Sequence, residues 1–269
     1  MIYKNPRISI ITVSFNSAKT IEETILSVIT QDYDNLEYII IDGGSTDETL
    51  NIINKYRSKI AIVISELDRG ISDAFNKGIK NSSGDIIGLI NSDDVLLEDA
   101  LKTVAQNFEN SIDIYRGKIL LWDDINNYEY SETPTMHFKK IPFFVHVCHP
   151  ATFVKKSCYK QYGDFKLNYK YMMDLELLRR FYKSGAKSKF IGEELAKFRM
   201  GGITAYIEKN KTKERAWLIK DYGGNQLDVL IYITYIKVFE FAKKVINLFG
   251  NEFRYKLRYK KNNKIKNNF

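Results

Sequence analysis

Two adjacent carboxylates, Asp93 and Asp94, are the residues of this 269-residue chain best placed to do chemistry. They close the stretch Asp85-Ile-Ile-Gly-Leu-Ile-Asn-Ser-Asp-Asp94. Ile86 to Asn91 is a short, mostly apolar run between polar turn residues, the pattern of a strand covered on both faces. In an open α/β sheet, ligands gather just beyond the carboxyl ends of the strands. Paired acids there repel each other unless a cation or a set of donors stands between them. Hard oxygen ligands suit Mg2+ or Mn2+, and Mg2+ commonly joins one or two carboxylates to substrate phosphates. The same pair also reads as the cap of a helix beginning near Leu97.

The elements that must hold this pair follow from the pattern on either side. Ile8 to Phe15 is strand-like and stops at Asn16-Ser17. A helix to about Gln31 puts Ile21, Ile25, Val28 and Ile29 on one face, with Thr20 and Glu23 as a capping box. Tyr38 to Ile41 is an apolar run ending on Asp42. Gly43-Gly44 turns the chain, and Ser45 with Glu48 predicts a second capping box for a helix to about Tyr56. Ile60 to Ser65 is a third strand, Asp68-Arg69-Gly70 a turn, and Ser72 to Lys80 a helix. Strand and helix alternate over short links, which predicts a parallel sheet with helices on its faces.

Beyond Asp94 the alternation breaks. A helix is predicted over about Glu98–Asn107, a strand over Asp113–Trp122, and a turn into a partner strand near Tyr128–Tyr130, so the sheet should gain antiparallel members. Lys155 to Tyr162 reads as a short helix closed by Gly163. Met172 to Ser184 reads as a helix with Leu175, Leu178 and Phe181 inward, and Lys189 to Met200 as a strand. Residues 1–205, with halves 1–99 and 100–205, are expected to form one domain, and 206–269 a helical extension.

Composition narrows the function classes. The formal net charge is +8, but residues 251–269 hold seven Lys and Arg against Glu252 alone. The body is therefore close to neutral, which argues against nucleic-acid binding and for a basic tail. Leu227 to Phe249 is an apolar helix too interrupted by charge to span a bilayer comfortably. A helix with an apolar stripe followed by clustered Lys and Arg fits an anionic membrane surface. The N-terminus carries no secretory signal pattern, and Cys148 and Cys158 match no metal-ligand spacing, so the expected setting is cytoplasmic, peripheral on the inner face of the membrane. No glycine-rich triphosphate loop and no G-x-G-x-x-G follows the first strand, which disfavours a sugar nucleotidyltransferase and a dinucleotide oxidoreductase. A non-catalytic sugar-nucleotide-binding or membrane-docking module is the other alternative.

Four stretches in this order carry a specific resemblance: Ile11-Thr-Val-Ser-Phe-Asn16, Ile41-Asp-Gly-Gly-Ser-Thr-Asp47, Asp68-Arg-Gly-Ile-Ser-Asp-Ala-Phe-Asn-Lys-Gly78, and Gly84-Asp85 through Asn91-Ser-Asp-Asp94. The chain resembles the family 2 glycosyltransferases, particularly bacterial enzymes of surface-polysaccharide assembly. The resemblance implies a Rossmann-like nucleotide-diphospho-sugar transferase fold of GT-A type, with a mixed central sheet flanked by helices. It implies an inverting transfer of one sugar from a nucleotide-diphosphate donor, UDP by family expectation, to a glycan or lipid-linked glycan, with Mn2+ or Mg2+ as cofactor. The Gln-x-x-Arg-Trp segment of the processive synthases is not evident, which points away from polymer extrusion.

Carried over position by position, Val13 and Phe15 line the base pocket and Asp42 accepts the base N–H. Arg69 lies near the base or phosphates, Asp93 binds ribose or metal, and Asp94 is the direct metal ligand. In the second half the resemblance puts the general base at Asp174, with Glu176 as a fallback. His149 would touch the acceptor or diphosphate, and Gly201-Gly202-Ile203-Thr204 would close over the donor. His137 and His146 have no motif context and read as structural. Asn91 departs from the acid common at its position, which shifts the burden onto Asp94, and Met172-Met173 replace the smaller or acidic residues common before the base.

Overall fold

The computed structural model describes residues 5–123, 128–136, 145–200 and 208–247. Among them a nine-stranded mixed sheet is the centre of the molecule. Its first half is the predicted alternation: β1 (Ile8–Ser14), α1 (Ile21–Ile29), β2 (Leu36–Asp42), α2 (Thr49–Lys55), β3 (Ile62–Ser65), α3 (Ile71–Asn81) and β4 (Ile86–Asn91). These four strands are parallel in the order β3-β2-β1-β4. The order reverses at β1 and β4, which opens a crevice beyond their carboxyl ends.

The second half runs β5 (Val95–Leu96), α4 (Ala100–Gln106), β6 (Ile114–Asp123), β7 (Tyr128–Glu132), β8 (Thr152–Lys155), α5 (Lys156–Tyr162), α6 (Met173–Lys183), β9 (Ser188–Arg199), α7 (Glu208–Asp221) and α8 (Gln226–Asn247). β8 joins β4 antiparallel, β6 follows antiparallel, β9 runs parallel to β6, and β5 closes the order antiparallel to β9. β7 pairs antiparallel with β6, as predicted.

Strand residues alternate between two cores because successive side chains point to opposite faces. Ile8, Ile10, Tyr38, Ile40, Ile86 and Ile90 face α1, α2 and α4. Ile11, Val13, Ile39, Ile41, Ile87 and Leu89 face α3, α5, α6 and Leu218 of α7. The core helices pack closely enough to exclude a Cβ at Gly78 of α3, where it would lie 2.3 Å from Ile11 Cγ2.

Several expectations need correction. Neither capping box forms. Thr20 makes no side-chain cap bond while Glu23 binds Arg199 Nη2 at 2.5 Å, and the Ser45 hydroxyl is spent on Asp42. Asp47 Oδ1 instead takes the Thr49 amide at 3.0 Å, at the start of α2. Charged groups brought close by the fold out-compete local caps. β5 and β8 were not predicted, and α7 falls in the extension that was expected to be helical without bounds for this helix. Beyond residue 205 the chain still packs on the sheet: Leu218 and Ile219 are fully buried, and Leu218 belongs to the core under β1 and β2. The 201–204 loop, His137 and the basic tail lie outside the described residues.

Candidate active site

The loops after β1, β2 and β4 are laced together over the crevice. Asn16, with φ of 49°, receives the Thr46 amide on its side-chain oxygen at 2.9 Å and gives its own amide to Ser45 Oγ at 2.8 Å. Ser17 and Ser92 share a hydroxyl–hydroxyl bond of 2.7 Å across the β1 and β4 ends.

Asp42 sits at the centre of this lacing and is fully buried. Its Oδ1 accepts from Ser14 and Ser45 hydroxyls at 3.0 and 2.5 Å. Its Oδ2 accepts from the Gly44 and Ser45 amides at 3.1 and 2.9 Å and from the Ser65 hydroxyl at 2.8 Å. A carboxylate offers about four lone-pair sites, and these five donors exhaust them. Asp42 therefore organises the turn, and a base N–H would have to compete with bonds this carboxylate already makes. Val13 is packed into the core beneath, so of the expected pair only Phe15, 60% exposed, presents a free face.

Sequence reasoning missed the acid that does face this space. Asp68 Oδ2 lies where a side chain on residue 43 would stand, 2.5 Å from an ideal Cβ there, with the Phe15 ring 3.6 Å from the same point. Asp68 Oδ1 takes the Gly70 amide at 2.7 Å. The signal was the Gly43-Gly44 pair, whose missing side chains leave room for a group from the β3–α3 turn. Arg69 next to it stands 74% exposed, paired with Asp73 at 2.9 Å. Asp73 is buried, so the exposed guanidinium is the mobile member of the pair.

Asp93 and Asp94 follow β4 directly, and β5 separates them from α4, whose N-cap is Asp99. The helix-cap reading is thereby excluded. Asp94 is buried, with Oδ2 accepting from Asn91 Nδ2 at 3.0 Å and Oδ1 from the Arg199 amide at 3.3 Å. Arg199 also donates to the Asp93 carbonyl at 3.3 Å and stacks on Trp122 at 4.0 Å. Burial pushes both carboxyls above the usual range, and the Asp93 charge pushes Asp94 further. Asn91 Oδ1 is buried with no hydrogen-bond partner. Two carboxylates raised by burial despite Arg199 beside them, together with an orphaned amide oxygen, form a hard-oxygen set. It fits Mg2+ or Mn2+, which complete their shells with water and phosphate oxygens. No group of three or more acidic, His or Cys side chains is assembled among the described residues.

Asp174 lies in the first turn of α6 and its Oδ1 accepts the Leu175 amide at 2.7 Å. It lines a small cavity with His149, Thr152 and Leu89 of β4. His149 Nε2 is buried with no hydrogen-bond partner, and its ring is tilted against Phe75 of α3 at 5.3 Å. Burial raises the Asp174 carboxyl and lowers the His149 imidazole, so the histidine is neutral at neutral pH. Leu89 is two residues from the end of β4, roughly 7 Å along the strand from Asn91. Glu176 is the opposite case. It is 1% exposed and held by Lys166 at 2.9 Å and Arg180 at 3.0 Å. Two residues on, it points about 200° around the helix from Asp174, and its carboxylate is committed to core ion pairs.

The sheet order and the acids beyond its parallel strands define a GT-A glycosyltransferase fold, and solved structures agree. A Staphylococcus aureus TarS fragment, residues 1–349, superposes with a TM-score of 0.63 at 21% identity, covering 80% of this chain and 65% of that one. The same fragment in complex with UDP-GlcNAc also gives 0.63, at 20% identity, covering 80% and 66%. The mannosyltransferase PcManGT from Pyrobaculum calidifontis, in complex with GDP-Man and Mn2+, gives 0.58 at 13% identity, covering 87% and 81%. The chain belongs to glycosyl transferase family 2, whose model matches residues 9–174. Among sequence relatives, a PGL/p-HBAD biosynthesis glycosyltransferase of Mycobacterium tuberculosis is 26% identical over 234 residues, 84% of this chain and 90% of that protein.

Proposed function

We propose that this glycosyltransferase moves a single sugar from a UDP-sugar to a glycan or lipid-linked glycan in cell-surface polysaccharide assembly, with inversion. The staphylococcal fragment solved with UDP and UDP-GlcNAc supports the donor class. The observation that carries the mechanism is the cavity shared by Asp174, His149 and Leu89. Its lining sets the Asp174 carboxylate beside β4, the strand whose end leads through Ser92 into Asp93 and Asp94. In this reading the base stacks on Phe15 and gives its N–H to Asp68, while Arg69 swings to the phosphates. Asp174 takes the acceptor hydroxyl proton as that oxygen attacks the anomeric carbon, and the bond from that carbon to the diphosphate breaks on the opposite side. Neutral His149 keeps the carboxylate from acquiring a competing positive partner and borders the space for the acceptor. Asp94, Asp93 and the Asn91 oxygen would hold Mn2+ or Mg2+, which when bound supplies Lewis-acid stabilisation of the departing diphosphate.

The acceptor side is assigned to the cytoplasmic face of an anionic membrane. Leu227, Leu230, Ile231, Val238, Phe241 and Val245 of α8 are exposed. Their spacing of three, four and seven residues makes one stripe on the helix, and the basic segment 251–269 follows it in sequence. No helix among the described residues is long and apolar enough to cross a membrane.

A thermal-shift panel of nucleotide diphosphates with and without Mn2+ tests the donor site. UDP at 100 times its Kd contributes about 2.7 kcal/mol, or a rise of about 5–10 °C. The rise should need Mn2+ and disappear in Asp94→Ala. Equal stabilisation without metal would remove the role given to Asp94, and no response to any nucleotide would remove the donor reading.

A further inference from the structure

We propose that Glu214 of α7 is a positioning residue for sugar transfer, seating the helix that carries Asp174. This rests on the reading of Asp174 as the base. Glu214 is 5% exposed, in a stretch where the sequence shows no helical apolar period. Its Oε1 accepts the Lys170 amide at 2.9 Å, and its Oε2 accepts the Tyr171 and Met172 amides, each at 2.8 Å. These are the three residues immediately before α6, and Asp174 is the second residue of that helix. A carboxylate on three amides leading into a helix satisfies donors that would otherwise be orphaned and sets a negative charge at the positive end of the helix dipole.

Neighbouring bonds fix the same segment from two sides. Tyr169 donates its hydroxyl to Asp221 of α7 at 2.8 Å, and Arg215 reaches Met172 Sδ at 3.4 Å. From α3, Ser72 donates to the Tyr169 carbonyl at 3.1 Å. The segment 169–172 is thus clamped between the donor-side helix α3 and the C-terminal helix α7, with Glu214 taking most of its amides. The family match ends at residue 174, so the group that seats the base lies outside the matched region. A shift of the base by about 1 Å costs on the order of 100-fold in rate, which makes this clamp consequential for turnover while leaving the donor crevice untouched.

The test is a double-mutant cycle on the full chain. UDP release is followed with a panel of UDP-hexoses and UDP-N-acetylhexosamines, and the fastest sugar is used for the variants. Glu214→Gln keeps the volume but turns one acceptor oxygen into a donor. It should lower kcat roughly 10–100-fold with an unchanged Mn2+-dependent thermal shift by UDP. Added to Asp174→Asn it should cost little more, because the two act as one unit. If Glu214→Gln is poorly folded, Glu214→Asp, which keeps the charge one methylene short, should show a smaller fall of the same kind. A kcat within twofold of wild type, or losses that multiply in the double variant, overturns the assignment. Wild-type-like turnover by Asp174→Asn, or no UDP release by the wild type, instead overturns the reading beneath it.

Discussion

At the scale of single residues, the site is a set of carboxylates sorted by their surroundings. Asp42 has every lone pair occupied, Glu176 is locked between two cations, and Asp174 is raised by burial beside a neutral histidine. Only the last has the character of a base awaiting a proton. A carboxyl whose folded pKa exceeds its unfolded value supports the fold most at low pH and loses that support as pH rises through the folded value. At neutral pH the ionised Asp174 is therefore a cost to stability. Asp174→Asn should lower kcat by about 10²–10⁴-fold while raising neutral-pH stability by about 0.5–2 kcal/mol. The gain should vanish below about pH 4, where the wild-type acid is protonated as well. The acid limb of the wild-type rate profile should lie above the usual carboxylate value, because proton uptake by the base stops transfer. An unchanged Tm together with an acid limb at an ordinary carboxylate value would contradict the burial argument.

At the scale of elements, α3 matters most for the donor side. It begins directly after the Asp68-Arg69-Gly70 turn and rests on β1 through Gly78. Gly70, with φ of 109°, allows the turn to enter the helix without strain. A larger residue at 78 would lift the helix off the strand and move Asp68 relative to Phe15. Gly78→Val should cost about 1–3 kcal/mol by overpacking, read by chemical denaturation, and should weaken UDP binding in the same variant. The first four strands and their helices were legible because buried parallel strands are solid apolar runs and the turns between them are marked by Gly and Asp. β8 was hidden because its four residues run straight into α5 with no turn between. The bounds of α7 were hidden because its apolar residues cluster at Ala216, Leu218 and Ile219 and its key inward group is a glutamate. The place of Asp94 was legible. The true surroundings of Asp42 and the approach of Asp68 to Gly43 depend on chain segments more than twenty residues apart, which periodicity does not report.

At the scale of the whole molecule, the C-terminal helices connect the core to the surface proposed to meet a membrane. α7 closes the core under β1 and β2, and Arg215 of α7 donates to Tyr232 of α8 at 2.6 Å. The exposed stripe of α8 is therefore tied to the helix that braces α6. Full-length protein should float with vesicles rich in phosphatidylserine and not with neutral phosphatidylcholine, since each Lys or Arg near an anionic surface contributes about 1 kcal/mol. Leu230→Glu with Phe241→Glu should cut that binding at least tenfold, and so should 0.5 M salt, by screening. Undiminished flotation of the double variant would remove α8 from the interface.

The five donors on Asp42 have a bearing on evolution by exchange of the nucleotide. Because this turn is fastened entirely by the chain itself, the groups around it can change without loosening the scaffold. In the proposed donor site, new nucleotide preference would then arise from Phe15 and from the β3–α3 turn, where Asp68 meets the empty Cβ position of Gly43, while the sheet stays as it is.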